Sequence, residues 1–153
     1  MLRGVDPQQI ALVRTSFAAA TVRPGALTRA FYERLFAAAP ELRSLFTSDP
    51  EVQARKLAAE LEAIVERLDC VGDLVARTRE LGSRHAGYGA RPAHYEVVGE
   101  ALLGALEAVL GRAFTAEVAG AWRYAYNLVA EAMLQGAATT VSSGRIGVDA
   151  GLP

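Results

Sequence analysis

Prolines cut this chain into helical pieces. Five of its six prolines (Pro7, Pro24, Pro40, Pro50 and Pro92) stand where an apolar period of three or four starts or stops. Asp6-Pro7 with Gln9 reads as an N-cap, a first-turn proline and a capping glutamine. The first helix then runs to about Val22 with Ile10, Val13, Phe17 and Ala20 on one face, and Pro24-Gly25 breaks it. A second, about 26 to 38, carries Leu27, Phe31 and Leu35 inward with Tyr32 and Phe36 beside them, and Pro40 opens the short turn "PELRSLF". Asp49-Pro50 repeats the entry chemistry for a helix to about Leu68, whose inner stripe is Gln53, Leu57, Leu61, Ile64 and Leu68. The next, from about Val71 to Ala86, aligns Leu74, Thr78, Leu81 and His85 before "GYGARP" ends it. Pro92 starts a fifth with Tyr95, Val98, Leu102, Leu106 and Val109 inward, stopped at Gly111. Thr115 caps the last, about 116 to 138, with Val118, Trp122, Ala125, Val129 and Met133 inward. Strand signals are scarce. The expected class is all-α, with about six to eight helices. Residues 1–138 form one domain, and the polar residues 139–153 form a flexible tail.

Composition narrows the function classes. At 153 residues the chain fits one domain with one sizeable core. Hydrophobic residues are 52%, above the usual share, so the core has something extra to wrap. A net charge of −1 gives no basic footprint for nucleic acid or an acidic lipid surface. No uncharged apolar run is long enough to span a membrane, and "MLRGVDPQQ" has no signal-peptide h-region. The lone Cys70 cannot form an internal disulfide and reads as a small structural thiol. A cytoplasmic location is expected.

Three polar residues interrupt apolar faces: Tyr32, Gln53 and His85. A buried polar group without a partner costs roughly 1–3 kcal/mol, so each needs a hydrogen bond or a ligand. A neutral imidazole pointing from an apolar face, at the end of a helix followed by two small residues, suits the axial position of a haem iron. A core histidine bonded to a carbonyl is the competing reading. His94 lies in the first turn after Pro92, and helical phase turns it from the Tyr95–Val98–Leu102 stripe, so it is expected at the surface. Two histidines and one cysteine at these spacings match no closed zinc site. Cys70 and His85 lie at opposite ends of one helix, on the order of 20 Å apart, too far for a nucleophilic pair. Tyr32 and Gln53 each have a structural reading, as a core tyrosine and a helix-border amide. Together, opposite a candidate axial histidine, they could converge on a ligand.

The motifs "FYERLF", "PELRSLF", "SRHAGYGARPAHYEVVGEALL" and "AWRYAY" resemble those of the globin family, and more narrowly the single-domain bacterial haemoglobins and the haem domain of flavohaemoglobins. The resemblance covers about residues 6 to 138. It implies a globin fold around haem b, with His85 as the proximal iron ligand and Phe46 packed on the haem. It implies Tyr32 as the donor to bound oxygen, with Gln53 and Leu57 completing the distal side, and Tyr95 as a proximal-side tyrosine. Leu81, Tyr88, Val98 and Leu102 join Phe46, Leu57, His85 and Tyr95 in the implied cofactor-binding set. Flavohaemoglobins carry a glutamate late in the last helix that bonds the proximal pair. Here the nearest acid is Glu131, about two turns earlier, so a strongly polarised histidine and peroxidase-like chemistry are not expected.

The expected function is therefore reversible binding of O₂, with NO and CO as further ligands, at a five-coordinate ferrous haem. A charge-assisted bond from Tyr32 to O₂ is worth roughly 1.5–3 kcal/mol and favours O₂ over CO. Two alternatives share the pocket. One is a nitric oxide dioxygenase served by an external reductase, since the flavohaemoglobin reductase is not in these residues. The other is a gas sensor with a partner output protein. Either a monomer or a homodimer fits.

Overall fold

The computed structural model of the chain describes residues 4–87 and 89–142, the last four as backbone only. Among these residues are six α-helices, two short 3-10 turns and no strand. The helices are α1 (Pro7–Ala20), α2 (Ala26–Ala38), α3 (Pro50–Glu66), α4 (Val71–Gly87), α5 (Pro92–Leu110) and α6 (Ala116–Ser142). The turns are Pro40–Leu45 and Gly111–Ala113.

The caps read from the sequence set these boundaries. The Asp6 carboxylate accepts the Gln8 N–H at 2.8 Å, and the Gln9 side chain accepts the Asp6 N–H, closing a capping box. Asp49 accepts the Glu51 N–H at 2.9 Å and Thr115 the Val118 N–H at 3.2 Å. Helix α1 ends two residues before the expected Val22, which stands exposed. The Thr21 hydroxyl takes the Phe17 carbonyl at 2.9 Å, and Gly25, at φ +81°, supplies the left-handed turn into α2. Helix α6 instead runs four residues past 138, to Ser142. Of the tail expected at 139–153, residues 139–142 are therefore helical, and 143–153 lie outside the described residues. No helix among the described residues is long and apolar enough to cross a membrane.

Helix α4 packs on α6, α2 on α5, and α1 on α6. The α4–α6 crossing is backbone on backbone. A Cβ at Gly82 would overlap the Met133 carbonyl, and one at Gly136 would overlap the Arg79 carbonyl. Only glycines allow that approach. The guanidinium of Arg79 donates twice to the Gln135 amide oxygen, at 3.1 and 2.9 Å, beside the crossing. Leu35, Leu74 and Leu106 are fully buried in the core. Trp122 donates its indole N–H to Ser16 Oγ at 2.8 Å, and the Ser16 hydroxyl donates to the Leu12 carbonyl at 2.7 Å, so this buried polar pair is satisfied.

Helix α3 packs differently. Its inner stripe begins with buried Gln53 and is followed, after the helix ends, by buried Leu68. Leu57, Leu61 and Ile64 between them are only half-buried. All three line a cavity as well as packing against the core.

Candidate functional site

The cavity has a volume of about 430 Å³, within the usual range for a bound small molecule. Tyr32, Phe46, Gln53 and Leu57 line it from α2, the following turn and α3. Leu81 and His85 line it from α4, and Tyr95, Val98 and Leu102 from α5. Every residue of the sequence-derived set that is described therefore borders one space. Tyr88 lies outside the described residues.

His85 enters from the last turn of α4. Its Nδ1 stands 2.9 Å from the Leu81 carbonyl, one helical turn back. A carbonyl only accepts, so Nδ1 carries the proton and the neutral ring keeps its lone pair on Nε2. Burial holds the imidazole below its usual pKa and so favours that neutral, ligating form. The helix end is pinned by the Ala90 N–H, which donates to the His85 carbonyl at 3.0 Å.

His94 departs from its expected place. It is half-buried and lines the same cavity, because the first turn of α5 folds its ring back. Its Nδ1 accepts the Arg91 N–H at 3.0 Å, capping α5. Here the partner only donates, so Nδ1 gives the lone pair and Nε2 keeps the hydrogen. A neutral His94 has nothing left to offer a metal. The two histidines border one cavity in opposite tautomers.

On the same cavity, the Tyr32 ring sits in an aromatic group. It stacks on Phe36 at 5.8 Å between centroids and meets Phe46 edge-on at 5.7 Å. The Arg43 guanidinium lies 4.5 Å over Phe36. The Tyr32 hydroxyl donates to the Gln53 carbonyl at 3.4 Å, a long bond. Burial pushes its pKa up to about 12, so it remains a donor across the physiological range. Gln53 is 3% exposed, well inside, and not a border amide in solvent.

The charged lining residues all belong to α3 and α4: Lys56, Glu60, Arg77 and Arg84. Lys56 and Arg84 are exposed, which makes this edge the opening. The sequence reading passed over these four, although each lies a turn or two from a stripe residue. It also passed over Tyr126, a half-buried cavity residue whose hydroxyl donates to the Tyr95 carbonyl. Gly99 gives the Tyr126 ring room, since a Cβ there would meet it at 2.7 Å. Glu131 is exposed on α6 beside Val75 and Leu128, away from the cavity that His85 and Tyr95 line.

The donor set limits what the cavity can hold. Among the described residues, no group of three or more His, Cys, Asp or Glu could cage a metal ion. A metal here would have one imidazole from the protein and would bring its other ligands with it. An apolar slot, one lone pair and two cations at the mouth suit a flat metal macrocycle with acidic side chains.

Comparison with known proteins agrees with this chemistry. The family profile described as Globin matches residues 29–133. The chain is 35% identical to the flavohemoprotein of Deinococcus radiodurans over 136 residues, 85% of this chain and 33% of that protein. It is 29% identical to the flavohemoprotein of Bacillus subtilis over 133 residues, again 33% of that protein. The chain thus spans about a third of the length of these relatives. Among solved structures it is similar to an engineered carbene transferase made from a Rhodothermus marinus protein provisionally assigned as a nitric oxide dioxygenase. That match has 33% identity and a TM-score of 0.80, and covers 91% of this chain and 97% of the other. A bacterial globin from Campylobacter jejuni, at 20% identity and TM-score 0.78, covers 90% of this chain and 99% of its own, and shares the fold.

Proposed function

Because this chain belongs to the globin family, we propose that it is a haem protein that takes haem b through Nε2 of His85 and reversibly binds diatomic gases, O₂ above all. The observation that carries the reading is the tautomer of His85. Its Nδ1–H donates to the Leu81 carbonyl, the tautomer in which Nε2 is the basic nitrogen, and the ring borders the cavity. Phe46, Leu57, Leu81, Val98 and Leu102 supply apolar walls, and the exposed cations Lys56 and Arg84 on the cavity lining would pair with the acid groups of a haem.

Ferrous haem, when bound, would supply the gas-binding chemistry, placing partial negative charge on O₂ and little on CO. The chain's part is to hold, orient and discriminate. His85 offers a neutral nitrogen because burial resists its protonation. Tyr32 is an uncharged donor whose present partner, the Gln53 carbonyl at 3.4 Å, holds it weakly. Turning the hydroxyl toward a ligand therefore costs little and gains a charge-assisted bond. Gln53 brings an amide to the same side. The test is an absorption spectrum of the purified protein, ferric and dithionite-reduced, with and without CO. A Soret band that shifts on adding CO supports the reading. Protein that takes up no haem ends it.

A second reading is favoured by the Rhodothermus relative and the flavohemoproteins. The same pocket would serve nitric oxide dioxygenation, in which NO, O₂ and one electron give nitrate. That reading requires a reductase, as a partner or as a further part of the protein. Sustained NO consumption with a flavoprotein reductase and NADH, yielding one nitrate per NO, separates it from simple gas binding.

A further inference from the structure

The mouth of the cavity holds an ion pair that the proposed function leaves unused. Arg77 on α4 meets Glu60 on α3 through two parallel bonds, Nε to Oε2 at 3.1 Å and Nη2 to Oε1 at 3.0 Å. Both side chains line the cavity. The pair differs from the other two ion pairs of the described residues. Arg14–Asp69 and Arg123–Glu100 are single contacts, and both their carboxylates are more than half exposed. The Glu60 side chain is 24% exposed and that of Arg77 38%. Planar two-point pairing of this kind fixes geometry as well as charge.

Its position gives the pair a task. Helix α3 carries Gln53 and Leu57, and α4 carries His85, so both helices contribute lining residues to the same cavity. Other charges face the same edge. Lys56 lies one turn before Glu60, Glu80 acts on Arg77, and Glu60 is close enough to be felt at His85. We propose that Glu60 and Arg77 form a salt-sensitive clasp that ties α3 to α4 across the mouth and slows escape of the cofactor. Both are positioning residues: they act by keeping the two walls together, not by touching a gas ligand. This inference rests on the haem reading above.

The test measures haem release from the loaded protein to an excess of an apoglobin acceptor. Glu60→Gln and Arg77→Gln each release haem about two- to fivefold faster at low salt, the range expected for a partly exposed pair. Wild-type release quickens as salt rises to about 1 M, where the screening length falls to about 3 Å, while release from the single variants does not. The double swap Glu60→Arg/Arg77→Glu restores slow, salt-dependent release. A purely structural role would give no such rescue. Haem-loaded variants that release at the wild-type rate at every salt concentration overturn the clasp and leave the haem reading standing. A chain that takes up no haem overturns both.

Discussion

On the α4 side of the cavity, backbone touches backbone: Gly82 lies against the Met133 carbonyl and Gly136 against that of Arg79. On the α2–α3 side, contact runs ring to ring through Tyr32, Phe36 and Phe46, with a 3.4 Å bond from the Tyr32 hydroxyl to the Gln53 carbonyl beside them. The first kind of wall cannot shift without prising two helices apart, and close-packed backbone has no rotamers to exchange. The second kind can adjust by small turns of side chains. The difference matches the two proposed tasks. A metal ligand has to stand in one place, whereas a donor to an incoming molecule has to find it. His85 is on the fixed wall and Tyr32 on the adaptable one.

The largest break in this comparison comes from removing the fixed ligand. His85→Ala is expected to abolish stable haem uptake, read as loss of the five-coordinate ferrous band. Normal haem content in that variant would move attention to His94, in spite of its tautomer. Next is Gly82→Ala, which adds one methyl group where the Met133 carbonyl already sits. Overpacking of this sort costs about 1–3 kcal/mol or more, measurable by denaturant unfolding. Added bulk on the other wall should be absorbed more easily, so Leu57→Phe is expected to cost less. Equal losses would mean that the two walls are not different in kind.

Smaller in stability but sharper in function is Tyr32→Phe. Loss of a charge-assisted bond of about 1.5–3 kcal/mol speeds O₂ release about 10- to 150-fold and leaves CO release nearly unchanged. Stopped-flow displacement of both gases would show it, and equal small effects on the two would remove Tyr32 as the donor. The smallest expected effect is that of pH. A free tyrosine ionises near 10, and burial moves Tyr32 to about 12. The unfolded chain therefore loses this proton first. The stability contribution is complete below about pH 10 and is lost as pH rises towards 12. O₂ release should stay flat from about pH 6 to 10. A steep rise near pH 8 would show that the hydroxyl titrates early.

Much of this arrangement could be read from spacing alone. The Asp6–Gln9 and Asp49–Pro50 signals sit at real helix starts, because capping depends on residues within one turn. Tyr32, Gln53 and His85 stand out as polar residues on apolar stripes, and all three border the cavity. His94 was misplaced because helical phase says nothing about a first-turn ring that folds back to cap its own helix. Glu60 and Arg77 escaped for another reason. They are 17 residues apart on different helices, and a charge at a stripe border looks like ordinary solvated surface until the partner helix is in view. Tyr126 was hidden likewise, since its partner is a backbone carbonyl 31 residues away.

Trp122 is the one tryptophan of the chain, 4% exposed, and it borders the cavity from α6 while its indole N–H is held by Ser16. Its fluorescence therefore reports from a single, shielded location. A strongly absorbing pigment entering the cavity would drain that emission by energy transfer, and its departure would bring the light back. The molecule carries its own optical gauge of whether it is loaded.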